Sequence, residues 1–196
     1  GSSSLLVADH VLFGLETAEA SGTEPSAAYG GAIFAVDYAR VVIRSANISG
    51  NVAKHLGGGM ALLYSASLDI ESSSRIVHNL AEGGGGLYLG IKARVNDVGT
   101  EGPVYIEANR AASSHGGGVR LFFSSTFQGS AFMFANNHAS SYGGAMSLAC
   151  GASALIRTSI FEDNTAVAGG GEGGGGAVAV DATCQSGNDD GSDFVA

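Results

Sequence analysis

One pattern constrains this chain more than any other: an aromatic residue or Ile, two residues, Asn, one residue, Ala, recurring five times. The copies are Ile48-Asn51-Ala53, Ile76-Asn79-Ala81, Ile106-Asn109-Ala111, Phe134-Asn137-Ala139 and Phe161-Asn164-Ala166. The Asn residues lie 28, 30, 28 and 27 positions apart. A degenerate copy, Phe13-Glu16-Ala18, precedes them with Glu in the Asn slot. Each copy is followed by a glycine pair and a short apolar run. The pairs are Gly30-Gly31, Gly58-Gly59, Gly85-Gly86, Gly117-Gly118, Gly143-Gly144 and Gly175-Gly176. Connector length between Ala and the pair varies, and the last copy carries the insert Gly169-Gly170-Gly171-Glu172-Gly173-Gly174. A fixed motif with variable connectors is the signature of stacked units whose loops project to one side.

A period near 28 accommodates three strands of about five residues and three turns of about four, one coil of a parallel β-helix. The expected fold is therefore all-β: a right-handed, single-stranded parallel β-helix of about six coils. A repeat domain is expected over 1–184, with the first 25 or so residues irregular and acting as a partial cap, and an acidic tail over 185–196. In such a stack Phe/Ile forms an inner column. Asn51, Asn79, Asn109, Asn137 and Asn164 form a hydrogen-bonded ladder, and the glycine pairs supply left-handed turns or close backbone approach. After each pair the first and third positions (Ala32/Phe34, Met60/Leu62, Leu87/Leu89, Val119/Leu121, Ala145/Ser147, Ala177/Ala179) are expected to point inward. The second positions are expected to point out. A leucine-rich horseshoe is the rival reading, and no copy has the closely spaced Leu positions it needs.

Composition agrees with a folded object. Glycine contributes 32 of 196 residues, yet 45% are hydrophobic, so enough apolar surface is available to fold. Nine basic against eighteen acidic residues give a net charge of −9, which argues against nucleic acid as a partner. No apolar run approaches 18 residues, so no membrane insertion is expected.

Reading [Phe/Ile]-x-x-Asn-x-Ala followed by Gly-Gly-[Ala/Leu/Val/Met], the chain resembles the repeat of chlamydial polymorphic outer membrane proteins. That family carries Phe-x-x-Asn and Gly-Gly-Ala-[Ile/Leu/Val] motifs many times over. The likeness covers roughly residues 13–182. It departs where Ile replaces Phe, since only Phe13, Phe134 and Phe161 remain, and Gly-Gly-Ala is complete in three of six copies. The resemblance implies a secreted or surface passenger of the pectin-lyase-like superfamily, often adhesive. The expected function is non-catalytic structural or adhesive work at the cell surface or outside the cell, as a segment of a larger protein or assembly. Protein partners or self-stacking through the helix ends are expected, with glycans as a further ligand class.

Because the superfamily includes polysaccharide lyases and hydrolases, a polysaccharide-binding or -degrading module is the alternative. Such chemistry needs carboxylates converging on adjacent coils. The columns place Asp37 and Asp181 five coils apart, and Glu107 and Glu162 two coils apart. Asp163 reads as a solvated turn charge. The five histidines (His10, His55, His78, His115, His138) occupy different motif offsets and read as exposed turn residues. No catalytic residue, metal or cofactor is therefore expected. The glycine runs lack the Lys-Ser/Thr and helix of a phosphate loop. The run Asn188-Asp189-Asp190-Gly191-Ser192-Asp193 lacks the bidentate Glu of a Ca²⁺ loop and reads as acidic tail. Cys150 and Cys184 fall on adjacent coils, where a disulfide and two free thiols are both open readings. Asn47-Ile48-Ser49 is a glycosylation sequon, and with Ile48 inward Asn47 is expected to be accessible.

Overall fold

The computed structural model describes residues 4–14, 27–71, 73–97, 102–167 and 174–181. Every strand pairing among them is parallel, and no helix occurs in those residues. The chain is a parallel β-solenoid. Three sheets of six strands run the length of the stack, so the backbone makes about five turns from the first strand of a sheet to its last.

The first sheet contains Leu5–Asp9, Arg40–Arg44, Ser67–Ile70, Arg94–Asp97, Thr126–Ser130 and Ser153–Arg157. The second contains Leu12–Gly14, Asn47–Ser49, Arg75–Val77, Val104–Glu107, Phe132–Ala135 and Ile160–Glu162. The third, following the glycines, contains Ile33–Ala35, Met60–Leu62, Leu87–Leu89, Val119–Leu121, Met146–Ala149 and Val178–Asp181. Shorter strands fill the fourth side: Leu80–Ala81, Arg110–Ala111, His138–Ala139 and Thr165–Ala166 in one sheet, Ala27–Tyr29 beside Ala53–Leu56 in another.

Parallel strands in register place the same motif position above itself. Phe13, Ile48, Ile76, Ile106, Phe134 and Phe161 form a single file. The Phe134 and Phe161 rings stack at 4.6 Å, and Phe127 and Phe132 join them at 4.9 Å from each other. Ile48, Met60, Leu62, Leu68, Ile76 and Leu87 are fully enclosed. Burying large side chains of this kind contributes about 1.5–3 kcal/mol each before the entropy of chain ordering is counted.

The solenoid begins earlier than expected. Leu5–Asp9 and Leu12–Gly14 are strands of the first coil, paired with Arg40–Arg44 and Asn47–Ser49. Phe13 of the degenerate copy takes its place in the inner column. Residues 15–26 and the expected tail, 185–196, lie outside the described residues.

The glycine frame also differs from the expectation. In register, Ile33, Met60, Leu87, Val119, Met146 and Val178 form one column. The true repeat is therefore three small positions long. The first is left-handed (Gly30, Gly57, Gly84, Gly116, Gly143, Gly175, φ from 57° to 69°). The second is Gly31, Gly58, Gly85, Gly117, Gly144 or Gly176, and the first five of these lie against the next coil's backbone; a Cβ on Gly117 would sit 2.3 Å from the Gly144 carbonyl oxygen. The third is Ala or Gly, and at Gly118 it faces the ladder amide of Asn137. Pairing Gly58-Gly59 with Gly30-Gly31 slips the frame by one residue, and a one-residue slip reverses the faces of a strand. Phe34, expected inside, is 50% exposed, whereas Ile33 and Ala35 are buried. Ser147 and Ala179 likewise belong to the outer column.

Corners between the third and first sheets are stacked type I′ turns. Ala39, Ala66, Ala93 and Ala152 each donate their N–H to the carbonyl three residues earlier, at 3.1–3.3 Å. Both central residues are left-handed: Asp37-Tyr38, Tyr64-Ser65, Ile91-Lys92 and Cys150-Gly151, with Phe123-Ser124 in the same column. The first four turns each donate to the next coil, as from Tyr38 N–H to the Tyr64 carbonyl at 3.1 Å and from Ser65 N–H to that of Ile91 at 2.9 Å.

Candidate interaction surface

The interior file of amides is the most ordered polar feature. Asn79 Oδ1 accepts from Asn51 N–H at 2.9 Å and from Asn51 Nδ2 at 3.0 Å. Asn109 Oδ1 does the same for Asn79, both at 3.0 Å. Asn137 serves Asn109, both at 3.1 Å, and Asn164 serves Asn137 at 3.0 and 2.9 Å. The second amide proton of Asn79, Asn109, Asn137 and Asn164 goes to the carbonyl of Ile48, Ile76, Ile106 and Phe134, at 2.7–2.9 Å. An Asn amide offers two donors and an oxygen with two lone pairs, and the middle members use all of them. Gly50, His78, Ala108, Asn136 and Asp163, immediately before the five Asn residues, are all left-handed, which turns each side chain into the stack. This file is scaffold, enclosed and without access for a ligand: Asn79, Asn109 and Asn137 are at most 1% exposed.

Carboxylates on the first two sheets are held across coils by arginines. Arg40 Nε donates to Asp69 at 2.7 Å, Arg44 Nε to Glu71 at 2.7 Å, and Arg75 Nη2 to Glu107 at 2.9 Å. Hydrogen bonding and charge from Glu71 hold the Arg44 guanidinium above its ordinary pKa, with a smaller contribution from Asp9. Arg75 also lies over the Tyr105 ring at 4.8 Å. Glu107 and Glu162 are two strands apart in one column, separated by Ala135. Asp37 sits in the first type I′ turn, and Asp181 in the last strand of the third sheet. These acids do not converge. Among the described residues no group of three His, Cys, Asp or Glu is placed to hold a metal, and no helix there is long and apolar enough to cross a membrane.

Three histidines are more engaged than expected. His55 Nδ1 is 2.9 Å from Glu82, His115 packs on Tyr142 at 5.0 Å, and His138 Nδ1 is 2.9 Å from Thr165 Oγ1; all three are half-buried. His10 and His78 are exposed turn residues. Asn47 is less accessible than its sequon suggests. Its strand is paired on both sides, its side chain is half-buried with Oδ1 enclosed, and Ser49 is buried. Cys150 is disulfide-bonded; Cys184, the chain's one other cysteine, lies outside the described residues, as does Asn188 to Asp193.

The outer face of the third sheet differs from the other two. Its outer column is Phe34, Ala61, Tyr88, Arg120, Ser147 and Ala179. Leu56, Ala61, Leu63 and Tyr88 form a second apolar cluster here, with Tyr29, Val36 and Phe122 packed against it. Tyr29 stacks on Phe34 at 5.9 Å, and Phe122 meets Phe123 edge-on at 4.3 Å. Arg120 is buried, hydrogen-bonded to Ser114 Oγ at 3.0 Å and seated over the Phe122 ring at 5.1 Å. Two glycines make the room: a Cβ on Gly83 would lie 3.0 Å from Arg120 Nη1, and one on Gly90 would lie 2.8 Å from the Tyr88 ring.

Among the described residues away from the first and last coils, the exposed large hydrophobic side chains are Tyr64, Phe123 and Tyr142, and Phe34 and Tyr38 of the first coil continue the same side. The sequence reading missed this face for two reasons. The glycine slip put Phe34 inside, and Tyr29, His115 and Tyr142 come from connectors that the repeat does not include. A usable signal was present: an aromatic or His directly precedes the left-handed glycine in Tyr29-Gly30, His115-Gly116 and Tyr142-Gly143.

Fold and surface together define a parallel β-solenoid with an amide-ladder interior and one aromatic outer face. No family model, curated protein or solved structure matches the chain.

Proposed function

We propose that this protein is a non-catalytic structural or adhesive β-solenoid working outside the cell or at its surface, as part of a larger protein or assembly. One observation supports the adhesive reading most: the aromatic face, where Phe34, Tyr38, Tyr64, Phe123 and Tyr142 stay exposed on a rigid scaffold. Aromatic side chains give large contact area at low entropic cost and dominate binding hot spots. The likeness to polymorphic outer membrane protein repeats points the same way. The disulfide at Cys150 supports an oxidising compartment.

A second reading, polysaccharide binding or cleavage, draws on the same face. Arg120, Ser114 and the His55–Glu82 pair set polar groups among rings, an arrangement suited to sugar hydroxyls and apolar sugar faces. The experiment is retention of the immobilised protein on cell surfaces and on pectin, alginate and mucin-type glycans, with Tyr38→Ser/Phe123→Ser as the comparison. Both residues are exposed in turns, so the thermal midpoint should hold while retention falls about tenfold. Equal retention by the variant removes the aromatic face from the function. Release of new unsaturated or reducing ends from a polymer, lost on changing Glu107 or Glu162, would replace the non-catalytic reading with an enzymatic one.

A further inference from the structure

Both ends of the described stack present apolar strands. At the first coil Leu5 is 61%, Val7 48% and Leu12 44% exposed; at the last, Leu155 is 46%, Ile160 56% and Val180 75% exposed. Strand edges of this kind are templates for further pairing. Tracing each column from end to end shows what would meet if the last coil of one copy received the first coil of another. In the first sheet, Leu6 shares its column with Ala154 and Val7 with Leu155, a register that sets Ala8 over Ile156. In the second, Leu12 shares with Ile160 and Phe13 with Phe161. The third matches Ile33 with Val178 and Ala35 with Val180.

Charge follows the same file. Asp9 is aligned with Arg44, whose Nε is bonded to Glu71 in the next coil. At the other end of the stack, the register that sets Val7 over Leu155 brings Asp9 over Arg157, which is paired with Ser130. Joining the ends would complete an alternating row: Arg157, then Asp9, Arg44 and Glu71 of the next copy. A head-to-head arrangement lacks this match, since antiparallel pairing centred on Val7 sets Asp9 opposite Leu5.

We propose that the partner of each end is a second copy of this chain, stacked head to tail with the last coil of one on the first coil of the next. This deepens the assembly part of the function proposed above and does not depend on the aromatic face. The contact is heterologous, one patch on a different patch, so it propagates into a filament instead of closing as a dimer. With six strand layers per copy at about 4.8 Å each, the axial repeat is about 29 Å.

Sedimentation velocity of the 196-residue chain across a concentration series, with electron microscopy of the assembled fraction, tests this. The expected result is concentration-dependent assembly into unbranched rods. Asp9→Arg alone and Arg157→Asp alone each place like charges at the junction, raising the half-assembly concentration about tenfold or more. An equimolar mixture of the two variants restores both junctions and returns assembly to near the wild-type concentration. Val180→Lys, at the open end of the inward column of Ala35, Leu62, Leu89, Leu121 and Leu148, blocks assembly with the circular dichroism spectrum retained. A wild-type chain that stays monomeric throughout, single variants that assemble like wild type, or a mixture no better than its components would each overturn the proposal. A monomer that still adheres through Tyr38 and Phe123 would do so while leaving the adhesive reading in place.

Discussion

A single amide in the middle of the file holds several groups at once. Asn109 accepts from Asn79 N–H and Nδ2 and donates to Asn137 Oδ1 and the Ile76 carbonyl, all in a buried setting. Asn109→Ala strands those partners without water, so urea unfolding should show a loss of about 2–4 kcal/mol. Asn51→Ala and Asn164→Ala, at half-buried ends of the file, should lose clearly less. Equal losses along the file would mean the ladder is not continuous. Ile91 shows the opposite case. It is a β-branched residue at φ 48° in a type I′ turn, a conformation costing roughly 1–2 kcal/mol. Ile91→Asn keeps the turn and relieves that strain, so its unfolding midpoint should rise, by about 1 kcal/mol in stability. A fall would show that Ile91 packing outweighs the strain.

At the level of strands and turns, what could be read from the sequence was what repeats. The [Phe/Ile]-x-x-Asn-x-Ala spacing carried the fold because each residue type serves one column: apolar inward, amide to amide, Ala at the tight step. The glycine frame was ambiguous because three consecutive small positions, Gly57-Gly58-Gly59 for instance, admit two pairings. Only the column Ile33–Met60–Leu87 resolves them. The type I′ corners were invisible because their left-handed sites hold Tyr64, Ile91 and Phe123 instead of Asn or Gly. Local propensity would reject those residues. Neighbouring coils supply the hydrogen bonds that keep them there. The glycine columns give a sharp test. Gly117→Ala would drive a Cβ into the Gly144 carbonyl at 2.3 Å and should cost more than about 3 kcal/mol or abolish folding. Gly151→Ala has only Ser124 Oγ within 4 Å, at 3.7 Å, and should cost only its left-handed strain, about 1–2 kcal/mol. Thermal denaturation of the pair separates contact from conformation.

Across the whole molecule, the solenoid is a stack of similar coils whose exposed apolar surface lies at the two ends and along one aromatic side. The disulfide at Cys150 adds a tie in the fifth strand layer of the third sheet's corner. Reduction should lower the unfolding free energy by about 2–4 kcal/mol, measured with and without a thiol reductant. No change would show that the bridge constrains nothing the stack does not already hold. The sequence said less about the molecule's outer surface than about its interior. Interior columns must repeat to pack, whereas the outward Phe34, Tyr88 and Phe123 need only be tolerated. The continuous amide file holds the stack together, and nuclear magnetic resonance of the Asn side-chain amides reads it without perturbing the chain. A continuous file gives slow hydrogen exchange at Asn79, Asn109 and Asn137, with sequential contacts from each amide to the next. Exchange as fast as that of an exposed Asn, with no such contacts, would contradict it.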